Sequence, residues 1–389
     1  MLAAAIENEV QEYIHAHAGQ VDPAGHRLVV RNGHMPPRDI LTGLGPVDVA
    51  RPRVNDKRVD ADGQRCRFTS QILPPYLRRT KAIDELIPWL YLKGVSTGDF
   101  AEALAALLGP GAEGLSATNV CRLKRSWQED WAQWSRRSLA DKHYVYVWAD
   151  GVYFHIRLED DANDKQCILV LMGATADGKK ELLGLADGYR ESEQSWTELM
   201  LDLKARGLVI DPTLAVADGA LGFWAACRKL WASTREQRCW VHKMANVLSK
   251  LPQGLQAKAR GMLHEIWQAA TKAEANKAFD LFVETFGLKY PKAAECLRKD
   301  RDVLLTFYDF PAEHWSHLRT TNPIESTFAT VRLRHRRTKG SGSRTACLTM
   351  VFMLVRAAEK RWRRLNGTAL LPEVIRGVRF VDGIMELAA

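Results

Sequence analysis

The sequence predicts an α/β fold: a strand-and-helix core interrupted by an all-helical insertion and preceded by a helical region. Three observations predict it. Between His143 and about Leu251, short apolar runs alternate with helix-length segments, as strand–helix units require. From Gln253 to about Phe310 the strand signal vanishes and helical stripes replace it. Ahead of both, from Thr80 to about Arg137, apolar residues recur at three- and four-residue steps. With 389 residues, 46% of them hydrophobic, the chain has room for two or three domains.

Taken in order, residues 1–76 are polar and punctuated by Pro36–Pro37, Gly43-Leu44-Gly45-Pro46 and Arg51-Pro52-Arg53. Loose order is expected here, with Val47, Val49 and Val54 able to form a short strand or hairpin in contact with DNA. In residues 77–140, Ile83, Leu86, Ile87, Leu90 and Tyr91 share a helical face that Gly94 ends. Ser96 or Thr97 can cap a second helix running to Leu108, and Gly109-Pro110-Gly111 stops it. Ser116 can cap a third, with Arg122, Lys124 and Arg125 in its early turns. Such a trio suits a helix-turn-helix-like DNA-binding domain whose last helix enters a major groove, and equally an ordinary three-helix subdomain.

Residues 141–252 read as the first part of the core. Strands are expected at Tyr144–Ala149, Gly151–Leu158, Cys167–Ala174, Thr213–Ala217 and Gln237–Trp240, with helices at Ser195–Arg206 and Ala220–Ser233. Three early strands and then alternation imply an antiparallel meander leading into a parallel part. Residues 253–312 form the helical insertion, with stripes through Leu263, Ile266, Trp267 and Ala270 and through Phe279, Phe282, Val283 and Phe286. The core resumes at 313–340 with a helix carrying Glu325. Residues 341–389 follow the Gly340–Ser343 break with a last helix near Ala346–Arg364.

Three acidic residues carry the chemistry. Asp150 and Asp218 each follow an apolar run in the form Ala-Asp-Gly, and Glu325 lies in TTNPIEST. Carboxylates at the ends of different strands, joined by one from a later helix, suit two Mg²⁺ ions, with Mn²⁺ able to substitute. Hard cations take oxygen ligands, and a metal pair about 3.5–4 Å apart can stabilise the attacking and leaving oxygens of a phosphoryl transfer together. The expected activity is that of a polynucleotidyl transferase. Each residue has a plainer reading as well. Asp-Gly often only makes a turn. Asn322, Pro323 and Glu325 fit N-cap, first and third helical positions, where Glu325 would reach back to the Asn322 backbone. Cys239 and His242, three apart, could share a helical face; two ligands do not make a zinc site, and His264, His314, His317 and Cys296 are the distant partners available.

A net charge of +9 points to a polyanion, and its distribution sharpens the point. Arg332, Arg334, Arg336, Arg337 and Lys339 fall within RLRHRRTK, which contains no acid, and RAAEKRWRR follows. Such residues neutralise phosphates in a salt-dependent way. Seven cysteines without regular spacing argue for a reducing cytosol, and neither a secretory leader nor a membrane span is read from the sequence. Cytoplasmic, nucleoid-associated work on double-stranded DNA is expected, with no small-molecule substrate.

The motifs RNG at Arg31–Gly33, LTGLGPVDVARPR at Leu41–Arg53 and LYLKGVSTGDF at Leu90–Phe100 are familiar together. So are WADGVYFHIR around Asp150, VADGALGFW around Asp218, RCWVHKMANV around His242 and LRTTNPIESTFATVRLRHRRTKG around Glu325. Over about residues 30–365 the chain resembles the IS256-type (Mutator-related) DDE transposases of bacterial insertion sequences. One departure is Trp148-Ala149-Asp150-Gly151, where the family often has Leu before the acid; the carboxylate is kept. The resemblance implies an RNase H-like core with a helical insertion after Asp218, and Asp150, Asp218 and Glu325 as the metal-binding triad. It implies that Cys239 and His242 are the family's Cys-x-x-His pair, accessory to the active site. It also implies binding of terminal inverted repeats, 3′ nicking and strand transfer into target DNA by a copy-out route through a circular intermediate. A homodimer is expected for synapsis of two ends. A nuclease that cuts without joining, or a domesticated DNA binder without catalysis, are the alternatives.

Overall fold

A computed structural model describes residues 2–43, 45–95, 100–108, 117–156, 165–188, 190–219, 221–337 and 340–386. The chain divides into two compact units, Met1–Leu123 and Lys124–Ala389.

The first unit opens on helix α1 (Leu2–Ala16), followed by β1 (Val29–His34), β2 (Arg38–Thr42), β3 (Gly45–Val49) and β4 (Pro52–Asp56). β1 pairs with β4 and β2 with β3, both antiparallel. This region is more ordered than its turn-rich sequence suggests. Ile6 and Val10, one helical turn apart, are both buried, Ile6 against Ile40, Val49 and Leu73. Asp56 ties the end of β4 to α1, accepting from Tyr13 Oη at 2.6 Å and from Arg58. Helix α2 (Lys81–Lys93) ends at Gly94, whose φ of 104° closes it in the left-handed region, as expected of that glycine. α3 (Phe100–Leu108) and α4 (Ala117–Ser135) follow. The expected caps Ser96, Thr97 and Ser116, and the Gly109–Gly111 break, lie outside the described residues. The boundary between the units falls within α4.

The second unit is mixed α/β. Its sheet holds β5 (Tyr144–His155), β6 (Lys165–Thr175), β7 (Lys180–Gly188), β8 (Leu214–Ala217) and β9 (Arg235–Arg238), in the order β7-β6-β5-β8-β9. The first three make an antiparallel meander; β8 runs parallel to β5, and β9 parallel to β8. Two expectations change here. Tyr144–Ala149 and Gly151–Leu158 are not separate strands: β5 runs through Asp150 and Gly151, which pair with Val170 and Leu169. β7 is not among the expected strands, because both its faces are covered and it shows no polar alternation.

Helices α5 (Glu193–Ala205) and α6 (Leu221–Leu230) cover one face, where Trp196, Leu199, Met200, Phe223 and Trp224 pack on Val147, Ala149, Leu169 and Ala215. After β9 come α7 (Trp240–Leu248), α8 (Gln253–Gln268), α9 (Lys272–Gly287) and α10 (Pro291–Arg298). α8 to α10 carry the helical stripes expected in this segment, with Leu263, Ile266, Phe279, Phe282 and Phe286 buried. Short turns α11 (Arg301–Leu304) and α12 (Trp315–Leu318) lead to α13 (Asn322–Arg337) and α14 (Arg344–Glu359). They seat the other face of the sheet: Tyr146 Oη bonds His314 Nδ1 at 2.8 Å, and Trp148 Nε1 donates to the His317 carbonyl at 3.0 Å. A turn of helix, α15 (Leu371–Ile375), and the hairpin β10 (Phe380–Val381) and β11 (Ile384–Met385) complete the chain. No described helix is long and apolar enough to cross a membrane.

Candidate active site

Sheet register builds the centre. Ala149 pairs with Ala217, and Ala217 with Arg238, across three parallel strands. The next residue on each is therefore Asp150, Asp218 and Cys239. The two Ala-Asp-Gly motifs are alike because they occupy the same row of neighbouring strands, about 4.8 Å apart. Asp150 is 9% exposed, and Gly151 N–H donates to its Oδ1 at 2.9 Å. Asp218 is half-buried at the end of β8; its carbonyl accepts from Trp224 Nε1 at 2.8 Å and Arg238 Nη1 at 3.1 Å.

Glu325 enters from the first turn of α13. The capping box expected of it does not form, because its carboxylate turns to Thr321, the residue before the helix. Thr321 Oγ1 donates to Glu325 Oε1 at 2.6 Å. The Thr321 carbonyl meanwhile accepts from the amides of Ile324 and Glu325. Thr321 also touches Cys239, its amide donating to Sγ at 3.3 Å. His242 Nδ1 lies 3.6 Å from Glu325 Oε1. Thus the Cys-x-x-His pair joins the Glu325 turn to the sheet. Two of the distant partners suggested by the sequence are engaged elsewhere: His314 bonds Tyr146 and Gly367, and His317 faces Lys180.

A fourth carboxylate, Glu191, escapes a reading of the sequence. It sits between β7 and α5, just before the α5 cap Ser192. Two glycines make room for it. A Cβ on Gly151 would lie 2.6 Å from Glu191 Oε1, and one on Gly222, in the first turn of α6, would lie 2.6 Å from the Ser192 carbonyl carbon. Glu191 N–H donates to Tyr153 Oη at 3.4 Å. Without β7, nothing in the sequence places Glu191 beside Asp150.

The electrostatics follow from this crowding. Burial, and then the charges of Asp218, Glu191 and Glu325, push Asp150 up to about 7. Burial and then Asp218 push Glu191 up to about 7. His242 is raised to about 9: its hydrogen bond with Cys239, and the charges of Cys239, Glu325 and Asp150, outweigh the effect of burial. A buried knot of negative charge therefore holds protons and an imidazolium. Such a site favours a cation, since concentrated carboxylates are ionised at lowest cost beside one. Among the described residues, the ligand atoms that lie within 4.8 Å of one another belong to Cys239, His242 and Glu325, and not to the acidic triad.

The sequence profile described as "Transposase, Mutator family" matches residues 1–365. This chain belongs to the Mutator family of transposases. It is 49% identical over 301 residues to the transposase for insertion sequence element IS6120 of Mycolicibacterium smegmatis, spanning 77% of this chain and 92% of that one. It is equally similar to the transposase for IST2 of Acidithiobacillus ferrooxidans, at 49% over 290 residues, 73% of this chain and 95% of the relative. The transposase for IS256 in transposon Tn4001 of Staphylococcus aureus is 27% identical over 333 residues, 85% and 81% of the two chains.

The cations expected to track DNA fall into two groups in this Mutator-family transposase. Arg332, Arg336 and Arg337 on α13 are exposed, as are Arg122 and Arg125 on α4; Lys124 is half-buried. Arg334 is 4% exposed, turned inward where α13 packs on the sheet, so it does not offer its guanidinium to a phosphate from the surface. Lys339 lies outside the described residues.

Proposed function

We propose that this Mutator-family protein is a DDE-type DNA transposase that binds the terminal inverted repeats of its insertion sequence, nicks their 3′ ends and joins them to target DNA. The observation that supports it most is the register row that sets Asp150 and Asp218 side by side, with Glu325 brought to them through Thr321 and His242. An RNase H-like core is the reading that accommodates the antiparallel meander, the two parallel strands and the helical insertion between Asp218 and Glu325.

Asp150, Asp218 and Glu325 would hold two Mg²⁺ or Mn²⁺ ions, with Glu191 adjoining. Bound divalent ions supply stabilisation of the attacking and leaving oxygens of an in-line displacement. The chain's own groups do the rest. Gly151 lets the Glu191 carboxyl group come in beside Asp150, and Gly219 lets the Arg238 guanidinium come in beside Asp218. Thr321 fixes the Glu325 carboxylate, and Cys239 fixes Thr321. His242 offsets the negative charge of the cluster. Exposed Arg332, Arg336 and Arg337 hold the DNA backbone through charge. A copy-out route through a circular intermediate, in a homodimer that brings two ends together, completes the proposal.

The site is tested by titrating Mn²⁺ into the full-length protein by calorimetry. Two ions per chain, lost together in Asp150→Asn while DNA binding persists, is the expected result. Unchanged Mn²⁺ binding in that variant would remove Asp150 from the ligand set.

A further inference from the structure

Next to the acidic centre, between α7 and α10, lies a cavity of about 310 Å³. Its wall begins at Gly219, the residue after Asp218, and includes Arg238, which donates to the Asp218 carbonyl. Two of its cations are buried and share one acid. Lys243, 6% exposed, bonds Asp300 and the Cys296 carbonyl; Arg238, 8% exposed, has Nη2 4.0 Å from Asp300 Oδ1. Farther out, Lys250 just past α7 and Lys299 at the end of α10 line the rim, both exposed. Among the described residues neither forms a salt bridge, the acid of this wall being taken by Arg238 and Lys243. A second hollow of about 500 Å³ shares Lys250, Cys296 and Lys299 and adds Lys292 and Glu295, the latter paired with Arg298 at 3.1 Å.

The wall is therefore net positive, continuous with the catalytic aspartate, and most positive along its outer rim. Buried cations paired to Asp300 hold its shape. The rim lysines, compact charges on flexible stems, suit the non-directional contact that a phosphate backbone needs. A fully structural cluster would neutralise its outer charges, and this one does not.

We infer that the α7–α10 cavity is a phosphate subsite between β9, α7 and α10: the DNA strand leaving the scissile position crosses the rim between Lys250 and Lys299. This rests on the catalytic role proposed for Asp218.

The test compares full-length wild type with Lys250→Ala/Lys299→Ala and with Lys258→Ala/Lys277→Ala, which removes two exposed charges elsewhere on the insertion. Binding of a short fluorescent DNA duplex is measured by anisotropy over a range of salt. The rim variant should lower the salt slope by about 1.8, roughly 0.9 for each phosphate that a lysine no longer neutralises. The other pair should leave the slope in place. Cys296, half-exposed and lining both hollows, gives an independent reading. Duplex binding should slow its alkylation by N-ethylmaleimide, read by mass spectrometry, in wild type more than in the rim variant. An unchanged slope, an equal fall in both variants, or Cys296 alkylation indifferent to DNA would overturn the subsite. Metal-dependent cutting by the wild type separates the two claims. Cutting with an unchanged slope refutes the subsite alone, whereas a rim-dependent slope without cutting shows that the rim holds phosphate but refutes the catalytic reading, and with it the scissile-strand path.

Discussion

Thr321 Oγ1 reaches Glu325 Oε1 at 2.6 Å, so the hydroxyl of a fully buried residue sets the direction of the helix-borne carboxylate, which also lies 3.6 Å from His242 Nδ1. Partners of this kind commonly matter 10–100-fold to metal affinity or activity. Thr321→Val keeps the shape and removes the donor. It should weaken Mn²⁺ binding by about 10-fold or more, and Thr321→Ser should restore it. Equal Mn²⁺ affinity in Thr321→Val, measured by calorimetry, would show that Glu325 needs no such guide.

Gly151 is required by Glu191 rather than by its own backbone. A methyl group there would meet the Glu191 carboxyl group. Gly151→Ala should cost about 1–3 kcal/mol, the usual range for overpacking. Combining it with Glu191→Ala should recover much of that stability, because the clash partner is gone. Denaturant unfolding of the two single variants and the double variant decides it: additive effects would contradict the close approach.

Stability should depend on pH in a definite sense. Asp150 and Glu191 titrate near 7 in the fold and near 4 when unfolded. Between those values the folded state holds the extra protons, so metal-free stability falls as pH rises from about 4 to 7. His242 has its pKa raised to about 9, so its favourable pairing is complete below about 6.5 and lost as pH rises through 9. Melting temperature without divalent ions should therefore decline across about pH 5–9. Asp150→Asn should flatten the lower part of that decline, and saturating Mg²⁺ should do the same in the wild type. A metal-free melting temperature that climbs with pH through this window would contradict the assignment.

Arg336 is exposed on α13 and Arg334 is not. Arg336→Ala should lower the salt slope of DNA binding by about one. Arg334→Ala should instead act through folding, lowering the unfolding midpoint. Anisotropy and denaturant titrations of both variants separate the roles. Reversed effects would mean that α13 presents its other face to DNA.

Much of this site is legible in the residues. Asp150 and Asp218 follow apolar runs in the same Ala-Asp-Gly form, and the register explains why they match. The stripes through Leu263 and Ile266, and through Phe279 and Phe282, correctly mark the buried faces of α8 and α9. Other features depend on residues distant in sequence. Asp150 and Gly151 lie inside a strand although both residue types are poor strand formers, because β6 pairs with β5 through both of them, which overrides local preference. Glu191 reaches the centre through β7, whose Leu-rich run with Gly184 and Gly188 carries no strand period. Glu325 has a local sequence that spells a capping box, yet its carboxylate turns to the nearby Thr321 hydroxyl and to His242, brought in from α7. Local pattern places an element; only its neighbours decide which way a carboxylate turns.

One acidic centre is proposed both to cut and to join DNA. The most direct test incubates purified protein with Mg²⁺ and an end-labelled duplex bearing the terminal repeat of its insertion sequence, beside Asp218→Asn. A nick at the 3′ boundary of the element and joined products are expected, both absent without Mg²⁺ and in Asp218→Asn. Cutting that never leads to joined products, or tight binding with no metal-dependent cutting at all, would contradict it.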